Sequence, residues 1–126
     1  DYIEIMADCC VNIAAATLKM QNTTIPKDME EKIITISKKV NKIYSDVVYA
    51  FKNKEIVLAN NAIEDAAATE KEIFSAEGKS VILADRRLRD NPEIIGAIAI
   101  ILENLGYILH LSRSVAELVI DRGSQK

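Results

Sequence analysis

The chain has 126 residues, 49% of them hydrophobic but only 5% aromatic, with no Trp and a formal net charge of −3. That length holds one domain with a real core, and the mild acidity argues against a binder of nucleic-acid backbones. Four Gly and two Pro are too few for a chain of many turns, so the composition points to a few long helices packed through Ile, Val, Leu and Ala.

The first helix is predicted from about Asp1 to Met20, with Ile3, Met6, Cys10, Ile13, Thr17 and Met20 as its main packing row. The two cysteines of the chain, Cys9 and Cys10, are adjacent here. Their side chains leave the helix about 100° apart, which disfavours a bridge between them and fits a reducing, cytoplasmic compartment. Asp1, Glu4 and Asp8 fall within about 60° of arc on this helix. Like charges at spacings of three and four cost a few tenths of a kcal/mol, roughly, unless something offsets them. Two readings are open: oxygen ligands for a hard metal, or a solvated acidic edge. No signal peptide is visible, and the chain opens inside a helical pattern, so it is expected to be a segment of a longer protein.

Residues 21–28 read as a loop, with Thr23 and Thr24 as cap candidates and Pro26 at the next helix start. The second helix is predicted over roughly 27–51. Met29, Ile33, Ile36, Val40, Ile43, Val47 and Ala50 make an unbroken four-three ladder, the pattern of a bundle seam. A tight connection at 52–54 brings the third helix back antiparallel. That helix, about 55–76, is expected to pack through Ile56, Ala59, Ile63, Ala66, Glu70 and Ile73, with Ala67 and Ala68 letting a neighbour come close. Ser80–Leu88 is either a short extra helix or a continuation past a kink at Gly78. The basic run Arg86, Arg87, Arg89, flanked by Asp85 and Asp90, reads as a solvated helix end or loop.

The fourth helix starts at Pro92 behind Asn91 and runs to about Asp121. Ile94, Ile98, Ile101, Leu105, Ile108, Ser112, Val115 and Val119 form one apolar row, and Ile95, Ala99, Leu102, Leu109, Ala116 and Ile120 a second beside it. A helix apolar on two adjoining faces must pack between other helices. The window 94–111 is apolar enough to raise a membrane span, but Glu103, Asn104 and His110 interrupt it, and no span is expected. The whole reads as an all-α, up-and-down antiparallel helical bundle.

Glu103, Tyr107, His110, Ser114 and Glu117 form a polar row on that last helix. Apolar rows flank Glu103, and a buried carboxylate needs a partner or a metal. Tyr107 and His110 are spaced to bond with it, as a satisfied core trio or as ligands. A ferritin-like dimetal centre needs Glu-x-x-His on two helices, yet His110 is the sole histidine and Tyr107 precedes it by three. No nucleophile–base pair, Gly-rich phosphate loop or Cys/His zinc cluster is present, so an enzyme is not expected.

The run Glu4-Ile-Met-Ala-Asp8-Cys-Cys-Val-Asn12-Ile13-Ala14 resembles the signature of the PhoU family of phosphate-uptake regulators, approximately E-R-I-G-D-H-A-x-N-I-A. Ile5 and Cys9 replace the family's Arg and His. Glu103-Asn-Leu-Gly106-Tyr107 is a weaker echo of the motif, with Tyr107 at the second acid. On this resemblance, 1–20 is the last helix of one three-helix repeat and 27–121 a complete second repeat. It implies a cytoplasmic regulator of phosphate uptake and phosphate-starvation signalling that contacts a phosphate transporter or sensor kinase. It also implies optional iron or zinc, with Glu4, Asp8 and Glu103 as ligands and Glu64 and Asp65 as the nearest middle-helix acids, while Ala68 and Thr69 stand where a further acid is expected. The alternatives are a metal-binding or metal-storing bundle and a structural oligomerisation module. A lone first helix also predicts self-association.

Overall fold

The computed structural model describes residues 2–21, 23–74 and 83–124, and across these the chain is an all-α bundle with no strand. Helix α1 spans Tyr2–Lys19, α2 Lys27–Asn53, α3 Ile56–Phe74 and α4 Pro92–Ser124, with a 3-10 turn at Arg86–Leu88.

The α2 ladder is buried residue for residue, from Met29 to Ala50. Thr23 and Thr24 do not cap this helix. Pro26 occupies the cap position at φ −56°, ψ 135° with no side-chain bond, and its carbonyl accepts the Met29 and Glu30 amides at 3.1 and 3.0 Å. Proline already sets the entry angle, so a hydroxyl cap is dispensable. At the other end Lys54 adopts a left-handed conformation (φ 55°) and its N–H bonds to the Ala50 carbonyl. The chain reverses there within two residues, and α3 returns against α2.

The buried residues of α3 are Ala59, Ala62, Ala66, Thr69 and Ile73. The expected seam is therefore turned by a fraction of a step: Ile56 is exposed and Glu70 half-buried, while Ala62 and Thr69 go inside. Alanines on the inner face suit close helix approach, because no long side chain holds the axes apart. Gly106 and Gly123 on α4 serve the same contact, since a methyl at Gly106 would run into the Phe74 ring and one at Gly123 into the Ile56 side chain. Residues 75–82, which include Gly78 and the start of the expected extra helix, lie outside the described residues. The part that follows holds the 3-10 turn, capped by the Asp85 carboxylate accepting from the Arg87 amide.

Helix α4 packs against α1, α2 and α3 alike. Ile94, Ile98, Leu105 and Val119 of the first row are buried, as are Leu102, Leu109 and Ala116 of the second and Ala97 outside both. Full burial of each large side chain contributes about 1.5–3 kcal/mol, so this helix holds the core together. By length and composition alone α4 could cross a membrane, yet 56% of its most apolar stretch is buried within the bundle.

Candidate functional site

Helix α1 is the least covered element. It packs chiefly on α4, and only Cys9 and Ala16 are buried. Only half of the expected packing row meets the core: Met6, Ile13 and Met20 are half-buried against it, while Ile3, Cys10 and Thr17 are exposed. Sequence spacing finds apolar rows, but α1 carries several side by side, and the one against α4 runs through Cys9 and Ala16. Beyond it, Ile3 is 80% exposed, Val11 65% and Leu18 67%.

Between α1 and α2 lies a groove floored by α4. One half is lined by Met6, Cys10, Val40, Tyr44, Leu105 and Ile108, the other by Ile13, Met20, Ile33, Ile34 and Ile101. Each half encloses about 440 Å³. The first half has no charged residue in its lining, and the second has only Glu30. The early part of α1 lies near Leu105 and Ile108 and its later part near Ile101, so α1 and α4 run antiparallel.

The acidic residues divide among separate surfaces. Glu4 and Asp8 are exposed on α1, and Asp1 lies outside the described residues. Glu103 is exposed, contrary to the burial expected of it. Three neighbours cover most of α4 but leave one strip to solvent, and the polar row occupies that strip. Tyr107 and His110 are exposed there too, their rings meeting edge to face at 6.4 Å. They form no core trio. Glu64 is exposed on α3. Asp65 lines a shallow cleft between α2 and α3 with Lys39, Lys42 and Glu72, away from α1. Among the described residues no three of His, Cys, Asp or Glu gather into a metal-binding group, so the iron or zinc ligand set implied by the resemblance is not assembled by them.

A polar contact joins the two helices that carry the motifs: the Asn12 amide donates to the Asn104 side-chain oxygen at 3.1 Å, and the Asn104 amide donates to the Ile100 carbonyl at 2.7 Å. The two asparagines open similar triplets, Asn12-Ile13-Ala14 and Asn104-Leu105-Gly106. Sequence reasoning singled out the acids and missed the Asn12–Asn104 contact; the signal was an asparagine followed by an aliphatic and a small residue in both places.

Other buried polar chemistry is sparse among the described residues. The Arg113 guanidinium donates to Glu70 at 3.2 Å across the α3–α4 contact, while the other Glu70 oxygen and the Ser112 hydroxyl are buried without a hydrogen bond. Burial pushes the Cys9 thiol up from its ordinary pKa, with the neighbouring Cys10 and Asp8 adding to the effect. That thiol is suited to packing, not to nucleophilic work.

No family model, no curated protein and no solved structure matches this chain.

Proposed function

We propose that this chain is a docking domain of a PhoU-like regulator of phosphate uptake and phosphate-starvation signalling. It acts in the cytoplasm through contact with a phosphate transporter or its sensor kinase and catalyses no reaction. The observation that carries the reading is the Glu4–Ala14 run on α1, whose Asn12 meets Asn104 on the last helix of the three-helix unit α2–α4. In this reading the motif's asparagine joins the last helix of one repeat to the last helix of the next.

Metal is optional in this reading, with Glu4 and Asp8, both exposed on α1, as the acids available to it. Deletion of the protein in its own host should raise phosphate uptake and starvation-promoter output in phosphate-rich medium. Re-expression of the protein should restore both, and Asn12→Leu should not. Uptake and promoter output unchanged by deletion would overturn the assignment. Metal analysis tests the metal-storing alternative: tightly held iron or zinc that is lost on Glu4→Ala with Asp8→Ala would favour it over docking.

A further inference from the structure

We infer that the groove between α1 and α2 is filled by α1 of a second copy of this chain, in a two-fold symmetric dimer. The inference stands apart from the regulator reading and needs neither phosphate nor metal.

Three features lead to it. First, groove and ridge adjoin. Ile3, Ala7, Val11, Ala14 and Leu18 form an exposed stripe at spacings of four, four, three and four, the repeat of a helix–helix seam. It borders the groove-facing row through Met6, Cys10 and Ile13. A surface holding a ridge and a matching trough side by side is self-complementary, which an isologous contact requires.

Second, the area is sufficient. Helix α1 has 18 residues, so it is about 27 Å long. A strip of that length and about two helix diameters wide is on the order of 500 Å² in projection and more as accessible surface, the scale of the roughly 800 Å² each partner gives to a standard interface.

Third, the charges agree. When α1 of one copy lies between α1 and α2 of the other, symmetry turns its groove-facing row toward the other α1. Its opposite flank, with Glu4 and Asp8, then meets the rim of the partner's α2. Lys38 is exposed on α2 one residue beyond the groove-lining Ser37. Acid on one side thus faces base on the other, and the groove between them is almost free of charge.

The arrangement has a chemical signature. Cys10 sits at the middle of α1, on the row that faces its symmetry mate, and is exposed in the single chain. Near a two-fold axis the two Cys10 side chains approach within disulfide reach, while Cys9 points into the core. In the reduced protein, sedimentation equilibrium should give twice the 14.0 kDa chain mass. Diamide, which takes the two protons and two electrons released by a pair of thiols, should then trap a covalent dimer through Cys10. Cys10→Ser should abolish the trap without abolishing the dimer.

Val11→Glu with Leu18→Glu should weaken association at least a hundredfold at unchanged helical circular dichroism, since both side chains are exposed in the single chain. Lys38→Glu should weaken it several-fold, and Glu4→Lys with Asp8→Lys in the same chain should restore it. A monomer at millimolar concentration would overturn the proposal. A dimer indifferent to Val11→Glu with Leu18→Glu, or one that diamide cannot trap at Cys10, places the interface elsewhere and overturns it too. A monomeric full-length protein with Cys10 shielded from thiol reagents would mean that another segment of the same polypeptide fills the groove, and this result would equally overturn the dimer.

Discussion

Arg87 holds two acids at once. Its guanidinium bonds to both oxygens of Asp28 at 2.8 and 3.0 Å and to Asp85 at 2.8 and 3.0 Å, tying the start of α2 to the 3-10 turn. These hydrogen bonds hold the Asp85 carboxyl down at about 2 and lower that of Asp28 as well. A carboxylate depressed on folding stabilises the fold above its unfolded pKa, and the effect is lost as pH falls through the folded value. The contribution from Asp85 is therefore whole above roughly pH 5 and fades toward about pH 2. Arg87→Gln should lower the melting temperature slightly at pH 7, and the gap between variant and parent should close by pH 2 and narrow in high salt. A gap that persists at pH 2 would show that the side chain acts through packing. Ser112, fully buried with its hydroxyl unbonded, sets a second test. Ser112→Ala should raise urea-unfolding stability by about 1 kcal/mol; a loss of that size would reveal a hidden partner for the hydroxyl.

At the scale of single helices, legibility in the sequence varied with the number of apolar rows. Helix α2 has one ladder against a charged background, and all seven of its residues are buried. Helix α1 has several apolar rows, and only tertiary packing selects the one through Cys9 and Ala16. In α3 the short side chains made the seam ambiguous by a fraction of a turn. The polar row of α4 was visible, but whether it faced core or water depended on which neighbours surround that helix. The candidate site suffered most from this. Spacing displays Glu4, Asp8, Glu64, Asp65 and Glu103 equally well, and says nothing of the distances between the helices that carry them. The alanine face of α3 also yields a prediction: Ala66→Leu, at a fully buried position, should destabilise by about 1–3 kcal/mol through overpacking. Val57→Ala, at an exposed position on the same helix, should be neutral within about 0.5 kcal/mol in the same urea titration.

The molecule as a whole is arranged around α4, the element that each of the other three helices touches. Leu102→Ala and Leu109→Ala remove fully buried side chains and should each cost about 2–5 kcal/mol in urea titrations, enough to unfold a marginal domain. If either costs less than about 1 kcal/mol, α4 does not have the central part given to it. Its place in the chain adds a temporal consequence. Translation delivers α1, α2 and α3 before the helix they share, and the Asn12–Asn104 contact joins residues 92 positions apart. The α2–α3 hairpin has local contacts to form early, but α1 is obliged to wait for α4. During that interval its oily flanks are on view to the ribosome-bound chaperones of the host, and to any neighbouring nascent copy on the same message.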